Sequence, residues 1–398
     1  RRPHRRVPRP RGPRTRRRVT AATEAERAAL GRARELALRG RGRVSPNPLV
    51  GAVLLASDGA TIAEGWHEGP GLPHAEAMAL TAAGDAARGA TMVCTLEPCS
   101  HQGRTPPCAD ALIAARVARV VMGTRDPLED GRAGGLQVLS AAGVEVAVAD
   151  GDDERACRAL NAAFLRAAAL GRPQVTLKLA ASLDGKVATH TGETRWISGP
   201  ASRARVHQWR ADHDAVMVGI GTALADDPLL NARDVDAPFR PPMRIVVDSQ
   251  ARLPLDSALV ADAAASPVCV AAAQDAPGDR LEALHAHGVR VVCAGAGRVD
   301  LPGLLRMLTV QDVQSVFVEG GPVLAGALLS AGLVDEVRWF AAPVVLGGAD
   351  APGAVAGPGW GALADAPRLR DVTVEQVGDD ALVSGRLTPL PGDPQEDR

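Results

Sequence analysis

His74-Ala75-Glu76 opens the most informative part of this sequence, which continues downstream at Glu97-Pro98-Cys99-Ser100-His101-Gln102-Gly103-Arg104-Thr105-Pro106-Pro107-Cys108. Among their side chains are the imidazole of His74, two thiolates and nearby carboxylates. A catalytic zinc site typically has three protein ligands and an open fourth position for water, whereas a structural site has four protein ligands. We therefore predict that the histidine and the two cysteines bind Zn²⁺. The pattern indicates hydrolytic removal of an amino group, with a carboxylate moving protons.

The predicted zinc ligands are His74, Cys99 and Cys108, and the predicted catalytic residue is Glu76. Zinc deaminases share the pattern H-x-E followed by P-C-x-x-C. This sequence has the first half of that pattern but places eight residues, not two, between its cysteines. Each piece alone is a common chance occurrence, and a free cysteine is usually a small buried apolar residue. The combination, with a proline before each cysteine and a glycine between them, favours a functional site.

The longer loop between the cysteines and the upstream stretch Ser45-Pro46-Asn47-Pro48-Leu49-Val50-Gly51 resemble the deaminase half of the bifunctional riboflavin-biosynthesis deaminase/reductase family. The resemblance implies a pyrimidinone substrate that carries a ribosylamino 5'-phosphate. It also implies that Asn47, His101 and Arg104 contact this substrate, and a cation suits its phosphate. His67 matches the family pattern as well, and its role stays open between a satisfied loop histidine and a phosphate contact.

Length and composition predict a multidomain cytoplasmic protein. At 398 residues, of which 46% are hydrophobic, the chain is long enough for two or three domains. Six cysteines without regular pairing indicate a reducing compartment, and the sequence has no apolar run of about 20 residues that would span a membrane. Residues 1–18 contain ten arginines and no acid. They have no aromatic residue to stack on nucleic-acid bases, so we predict a disordered extension over residues 1–19.

Alternating helix and strand signals predict a layered α/β domain over residues 20–150. Thr23 and Glu26 fit a capping box at the start of the first helix. A hairpin around Asp58-Gly59 follows, and then a helix from His74, a strand over 90–96 and a helix with Pro107 at its first position. Cys108 and His74 would then lie in the first turns of two helices, whose positive ends favour thiolates.

Residues 151–172 are rich in alanine and end in Gly171-Arg172-Pro173, which predicts a linker helix before a second domain over residues 173–390. That domain is predicted to contain a strand over 174–181, a helix over 200–212, a strand over 214–219 and a loop over 221–228. Ligands of open α/β sheets bind at the carboxyl ends of strands, so this loop is a candidate binding element. Residues 316–326 predict a strand that delivers two glycines to a helix start, where backbone N–H groups can bind a pyrophosphate.

Segments at residues 178–186, 196–197, 219–222, 226–230 and 319–321, together with Arg210, resemble the reductase half of the same family, whose fold is similar to that of dihydrofolate reductase. The resemblance implies that NADPH contacts Ala180, Trp196, Thr222, Asp226, Ser249, Gly321, Pro322, Val323, Leu324, Ala325, Gly326 and Ala327. It implies that substrate contacts Thr194, Arg210, Leu230, Arg233 and Glu319. Arg210 and Arg233 would suit a clamp on a sugar phosphate. Asp226 is also a candidate for a polar role near the nicotinamide.

These observations predict a cytidine-deaminase-like three-layer domain followed by a dihydrofolate-reductase-like α/β domain. The resemblance implies a zinc-dependent deaminase and an NADPH-dependent reductase acting in sequence, with a small-molecule substrate, no nucleic-acid or membrane partner, and a homo-oligomeric state. Three alternatives stay open. They are a nucleic-acid or nucleoside deaminase with a non-catalytic C-terminal binding domain, an enzyme that keeps only one activity, and a non-catalytic zinc protein with Cys94 as fourth ligand.

Overall fold

The computed structural model describes residues 21–127, 134–235 and 239–393. The disordered extension predicted over residues 1–19 lies outside the described residues. Two sheets organise the described chain, one of five strands and one of nine. The first sheet belongs to the predicted deaminase domain and the second to the predicted reductase domain.

The first domain alternates strands and helices, as the sequence predicts. Its elements are α1 (Glu24–Leu38), β1 (Gly51–Leu55), β2 (Thr61–Trp66), α2 (Ala75–Ala83), β3 (Thr91–Cys94), α3 (Cys108–Ala114), β4 (Arg119–Met122), α4 (Gly135–Ala141) and β5 (Glu145–Val148). The sheet order is β2-β1-β3-β4-β5. β1 is antiparallel to β2 and β3, whereas β3, β4 and β5 are parallel. The predicted hairpin and the capping box of Thr23 and Glu26 are both present.

The five-stranded sheet is covered by helices on both faces, which makes three layers. Successive residues of a strand point to opposite faces. Val53 of β1 therefore packs with Leu30 of α1 on one face, while Leu54 packs with Ala79 of α2 on the other. The predicted three-layer architecture is confirmed, and α2 and α3, which begin at the zinc-ligand motifs, pack on the second face together with α4.

Residues 151–172 form two helices rather than the single linker helix that the sequence predicts. α5 (Gly151–Leu160) and α6 (Ala162–Leu170) meet at Asn161, whose φ of −108° and ψ of 22° leave the helical region. The Asn161 side chain accepts a hydrogen bond from Leu49 N–H at 2.8 Å and donates one to the Leu49 carbonyl at 3.0 Å. This tertiary contact stabilises the break, and a local alanine-rich pattern does not reveal it.

The second domain contains a nine-stranded sheet. Its elements are β6 (Gln174–Ser182), α7 (Pro200–Asp212), β7 (Ala215–Gly219), α8 (Ile220–Asp226), β8 (Met243–Val247), α9 (Ala258–Ala261), β9 (Val268–Ala272), α10 (Gly278–Ala286), β10 (Arg290–Cys293), α11 (Leu301–Thr309), β11 (Ser315–Val318), α12 (Pro322–Ser330), β12 (Glu336–Ala342), β13 (Arg370–Val377) and β14 (Asp380–Arg386). The order is β10-β9-β8-β7-β11-β6-β12-β14-β13. The first seven strands of this order, from β10 to β12, are parallel. β14 pairs antiparallel with β12, and β13 pairs antiparallel with β14. The carboxyl ends of β6, β7, β8 and β11 therefore share one edge.

The segment after β7 is helical, so the prediction of a loop over residues 221–228 was wrong. α8 ends at Asp226, and its C-cap residue Asp227 has a φ of +39°. Ala223, Leu224 and Ala225 are strong helix formers, but the glycines before them and Pro228 after them suggested a loop. α8 still begins at the carboxyl end of β7, where ligands of parallel sheets bind.

The linker helices are tied to the second domain by Asp335, which is 1% exposed. Its carboxylate pairs with Arg172 at 2.7 Å and Arg166 at 3.1 Å. It also accepts hydrogen bonds from Val175 N–H at 2.9 Å and from the Thr388 hydroxyl at 3.0 Å. We propose a domain boundary near residue 172. Charged hydrogen bonds from Arg166 and Arg172 to Asp335 hold the linker against the second domain at this boundary.

Candidate active sites

The three predicted zinc ligands converge beside the amino ends of two helices. His74 is the N-cap residue of α2, Cys108 is the first residue of α3, and Cys99 lies in the loop after β3. His74 Nδ1 lies 3.3 Å from Cys108 Sγ and 3.6 Å from Cys99 Sγ. The three ligand atoms all lie within 4.8 Å of one another, which suits a single tetrahedral ion.

The two helix starts differ by one residue from the prediction. His74 precedes α2 rather than lying in its first turn, and Pro107 is the N-cap of α3 rather than its first residue. α2 is seated on the sheet at Gly65 of β2, where a β-carbon would lie 2.2 Å from the Ala75 carbonyl oxygen. A larger residue at position 65 would displace α2, and with it His74 at the start of the helix and Glu76 in its first turn.

The donor set fits zinc, which prefers thiolate and imidazole ligands. A hydrogen bond from the Cys108 thiol, reinforced by His74, lowers the pKa of Cys99 well below its usual range. The same contact raises the pKa of Cys108. The Cys108 backbone N–H also donates to Cys99 Sγ at 3.3 Å. Cys99 is therefore a ready thiolate ligand, and metal binding releases the proton of Cys108.

The cluster is open rather than closed by a fourth protein ligand. Among the described residues it contains only His74, Cys99 and Cys108. Cys94, the alternative fourth ligand, is fully buried in β3 and its thiol donates toward the Val121 carbonyl at 3.7 Å. An open position is what a catalytic zinc site needs.

Glu76 stands in the first turn of α2 and is 3% exposed. Burial, and then the negative charge of Cys99, raise the pKa of Glu76. A carboxyl group that holds its proton more tightly than usual is better suited to return that proton as an acid. Glu76 therefore has the environment of a proton carrier beside the metal cluster.

Thr105 holds the far side of the His74 ring, although the sequence alone does not single it out. Thr105 Oγ1 lies 3.1 Å from His74 Nε2. An acceptor at this nitrogen keeps the ring proton on Nε2 and leaves the Nδ1 lone pair on the side of the cysteines. Thr105 lies in a loop without a motif of its own, so only the folded structure reveals the contact.

Asn47 is linked to the zinc ligands through His67. Asn47 Nδ2 donates to His67 Nε2 at 2.9 Å, and His67 Nδ1 donates to the Pro73 carbonyl at 3.1 Å. Burial is the main cause that lowers the pKa of His67, so the ring is neutral and both nitrogens are used. The rings of His67 and His74 lie 5.2 Å apart, edge to face. Asn47 thus contacts a histidine whose ring packs against the predicted zinc ligand His74.

The other two predicted substrate residues of this site lie in the loop between the cysteines. His101 is half-buried, and among the described residues its Nδ1 atom has no hydrogen-bond partner. Arg104 is exposed. A buried ring nitrogen without a partner is costly, which is consistent with a site that a polar ligand completes.

The second candidate site lies at the carboxyl edge of the nine-stranded sheet. β11 leads through Glu319 into Gly320 and Gly321, whose φ values are +59° and +89°, and α12 follows. A β-carbon on Gly321 would lie 2.8 Å from the Thr222 hydroxyl oxygen in α8. The predicted strand, glycine turn and helix are present, and the remaining residues of the predicted cofactor turn, 322–327, begin α12.

Other residues predicted to contact the cofactor lie at neighbouring strand ends. Ala180 is in the carboxyl half of β6, and Ser249 follows β8. Asp226, the last residue of α8, accepts a hydrogen bond from the Thr194 hydroxyl at 3.1 Å. Trp196 is 68% exposed, so its indole is available to a ligand at the rim. Ala180 and Ser249 thus lie at the same carboxyl edge of the sheet as the glycine turn.

Arg210 of α7 and Glu319 form a nearly buried ion pair, with side chains 13% and 10% exposed. Arg210 donates to both Glu319 oxygens, through Nε and through Nη2 at 2.9 Å, while Nη1 donates to the Asn231 carbonyl at 2.9 Å. Burial alone would raise the pKa of Glu319, but the charge and hydrogen bonds of Arg210, together with the nearby Lys178 and His207, outweigh it and lower this pKa. Three of the five guanidinium N–H groups are thus used within the protein, which leaves two for a ligand.

Lys178 of β6 lies close to this pair, and we did not assign it a role from the sequence. Burial and the nearby Arg210 lower the pKa of Lys178 more than Glu319 raises it. A lysine with a lowered pKa releases a proton more readily than an ordinary lysine. Lys186 of the same motif differs, because its Nζ donates to the Ala351 carbonyl at 2.9 Å. The electrostatic setting, not the motif, distinguishes Lys178.

Arg233 stands on the exposed side of the predicted phosphate clamp. Its side chain is 56% exposed and Nη1 donates to Asn231 Oδ1 at 3.2 Å. The chain turns just before it at Leu230, which is buried and has a φ of +52°. Burial, then Arg210 and Arg233, lower the pKa of His207 on α7, so both guanidinium groups lie near this ring.

Comparison with known proteins assigns the family. Residues 173–383 match the family model described as the RibD C-terminal domain. Residues 23–124 match the cytidine and deoxycytidylate deaminase zinc-binding region. Riboflavin biosynthesis protein RibD of Escherichia coli strain K12 is 42% identical over 365 residues, which are 89% of this chain and 97% of that protein. The chain belongs to the RibD family. The RibD protein of Mycobacterium tuberculosis is 38% identical and covers 89% of the chain and 96% of its own length.

Solved RibD structures have the same fold. RibD of Acinetobacter baumannii is 37% identical with a TM-score of 0.82, covering 91% of this chain and 99% of its own. A Thermotoga maritima protein is 34% identical with a TM-score of 0.79, covering 91% of this chain and 98% of its own, and is described as a diaminohydroxyphosphoribosylaminopyrimidine deaminase and 5-amino-6-(5-phosphoribosylamino)uracil reductase. The predicted deaminase-like and dihydrofolate-reductase-like domains are confirmed. Within the described ranges, no helix is both long and apolar enough to cross a membrane.

Proposed function

We propose that this RibD-family enzyme uses the two sites described above for consecutive steps of riboflavin biosynthesis. It is a bifunctional zinc-dependent deaminase and NADPH-dependent reductase. The open three-ligand cluster beside buried Glu76, on a chain whose second half matches the RibD reductase domain, is the observation that carries this conclusion. The match to RibD over 89% of the chain also disfavours a nucleic-acid or nucleoside deaminase with a non-catalytic second domain.

The deaminase half is proposed to replace the exocyclic amino group of a diaminopyrimidinone ribosyl 5'-phosphate by oxygen, with release of ammonia. His74, Cys99 and Cys108 would hold the zinc. When bound, zinc supplies a Lewis acid that lowers the pKa of water toward about 7. Glu76 takes the proton that water loses and returns it to the departing amine. Asn47, His101 and Arg104 are proposed to bind the substrate around this cluster.

The reductase half is proposed to open the ribosyl ring of the deaminated product to a ribityl chain. NADPH supplies the hydride. The glycine turn at Gly321 and the neighbouring strand ends are proposed to bind the dinucleotide, because backbone N–H groups at a helix start favour phosphate. The two uncommitted N–H groups of Arg210, with Arg233 at the rim, are proposed to bind the substrate 5'-phosphate. Lys178 and Asp226 are the candidate polar groups beside the reacting ring.

A homo-oligomer in the cytoplasm is part of the same proposal. β13 is the last strand at one end of the nine-stranded sheet, and its Val372 and Val374 side chains are 52% and 69% exposed. An edge strand with exposed apolar side chains is a natural place for pairing with another chain. A second copy that covers β13 would remove this exposed edge.

Removal of zinc tests the division into two sites. A chelator should abolish ammonia release from the diaminopyrimidinone substrate, because no other described cluster offers a comparable ligand set. Added Zn²⁺ should restore it. The same chelated sample should still oxidise NADPH when given the deaminated intermediate. Ammonia release from protein shown to be metal-free, or loss of both activities on chelation, would contradict the proposal.

A further inference from the structure

The second domain contacts the loop that carries Asn47. This loop, residues 39–50, joins α1 to β1 and is here called the α1–β1 loop. Gln314 Nε2 of the second domain donates to the Pro46 carbonyl at 2.6 Å. Arg240 N–H donates to the Gly42 carbonyl at 2.9 Å, and a β-carbon on Gly42 would lie 2.6 Å from the Ala211 carbonyl oxygen. The loop therefore rests directly on the second domain.

The hydrogen bond from Gln314 fixes the peptide group next to Asn47. The Pro46 carbonyl and the Asn47 N–H belong to one planar unit. The Gln314 side chain donates to the oxygen of this unit, and the Asn47 N–H of the same unit donates to the Val44 carbonyl at 2.8 Å. With both polar ends held, the plane cannot rotate without breaking a hydrogen bond, so the direction in which the Asn47 side chain leaves the backbone is set.

Gln314 is itself anchored to the sheet. It immediately precedes β11. Its backbone N–H donates to the Asp214 carboxylate at 2.9 Å, and its carbonyl accepts from Gln174 N–H at 2.8 Å. These partners lie at the amino ends of the neighbouring strands β7 and β6. The side chain therefore starts from a fixed backbone position.

Packing alone does not hold the α1–β1 loop against the second domain. A cavity of about 210 Å³ lies between the domains, and Ser45, Asn47, Asp212 and Gln314 contribute to its wall. The buried Ser45 hydroxyl has no hydrogen-bond partner among the described residues. Where a cavity replaces side-chain contacts, an individual hydrogen bond contributes more to the position of a loop.

We infer that Gln314, a residue of the reductase domain, is a positioning residue for the deaminase site. It holds the Pro46–Asn47 peptide so that Asn47 reaches both His67 and the pyrimidinone substrate. The inference rests on the proposed role of Asn47 in binding that substrate. According to this inference, the deaminase site depends on a hydrogen bond from the reductase domain. The residue that donates it lies at the amino edge of the reductase sheet.

The test compares Gln314→Glu with wild type in the full-length protein. The carboxylate has nearly the same shape but cannot donate to the Pro46 carbonyl. The KM of the deaminase reaction should rise about tenfold with little change in kcat, the size expected for a lost hydrogen bond to a buried acceptor. The reductase constants should not change, because Gln314 and Glu319 stand at opposite ends of β11, about 16 Å apart along the strand. Gln311→Glu is the matched control, because Gln311 only accepts a hydrogen bond from Arg290 at the surface and glutamate keeps that acceptor, so both reactions should stay unchanged.

Asn47→Ala and the double variant Asn47→Ala/Gln314→Glu complete the test. Asn47→Ala should raise the deaminase KM, and adding Gln314→Glu should raise it no further, because Gln314 acts through Asn47. Gln314→Ala serves in the same way if the glutamate variant unfolds. If Gln314→Glu leaves the deaminase KM unchanged while Asn47→Ala raises it, the inference about Gln314 is wrong but the proposed substrate role of Asn47 stands. An unchanged KM in Asn47→Ala would overturn the proposed substrate role of Asn47, and purely additive effects would show that Gln314 acts by another route.

Discussion

Glu76→Gln should lower the rate of ammonia release by about 10²- to 10⁴-fold, the usual contribution of a positioned general acid–base group. Glutamine keeps the shape of the side chain but cannot carry the proton. The three ligand side chains are unchanged, so the variant should bind zinc in the same ratio to protein as the wild type. Ammonia assays and metal analysis of the same preparation measure both quantities.

Two controls accompany Glu76→Gln. Glu64→Gln removes a carboxylate on β2 that pairs with Arg32 at 2.8 Å, away from the cluster, and should leave ammonia release unchanged. Glu76→Gln should also keep the reductase activity on the deaminated intermediate. If the variant lost its zinc, Glu76 would be a ligand and its assignment as the proton carrier would be wrong.

Arg210→Ala should raise the KM for the deaminated intermediate about 30-fold, which corresponds to about 2 kcal/mol for a lost charge-assisted hydrogen bond. NADPH affinity should hardly change, because Arg210 is proposed to contact only the substrate phosphate. Arg210→Lys should restore part of the affinity, since an ammonium group keeps the charge but not the planar fork. Fluorescence titration with NADPH, beside steady-state kinetics for the intermediate, measures both effects.

Arg205→Ala is the control for Arg210→Ala on the same helix, because Arg205 pairs with Glu375 at the surface and is 42% exposed. The Arg210 variant also leaves the Glu319 carboxylate without its partner, which destabilises the protein. Thermal unfolding therefore has to confirm that the variant is folded at the assay temperature. Loss of NADPH affinity with normal substrate affinity would place Arg210 on the cofactor side of the pocket.

The fold could be predicted from the sequence wherever local signals agree with tertiary packing. The helix over residues 200–212, with Pro200 at its first position, and the hairpin around Asp58-Gly59, with two turn-forming residues between its strands, are examples. The sequence was misleading where a distant partner decides the backbone. Asn161 breaks the linker helix because its side chain is used by Leu49, which is remote in the chain.

The same distinction applies to the candidate sites. His74, Cys99, Cys108 and Glu76 were predictable because metal ligation restricts residue type and spacing together. Thr105 and Gln314 were not, because each acts through one hydrogen bond to a residue that only folding brings near. The pairing of Arg210 with Glu319 was likewise missed. Both residues were predicted as substrate contacts, but no sequence pattern shows that they also bind each other.

The most direct test of the two-step account is product identification by mass spectrometry. The full-length protein is incubated with the diaminopyrimidinone ribosyl phosphate, with and without NADPH. Without NADPH, the account predicts one product in which an amino group has been replaced by oxygen. With NADPH, that product should gain two hydrogens. A product that is reduced but still carries both amino groups, or a failure to release ammonia unless NADPH is present, would contradict the account.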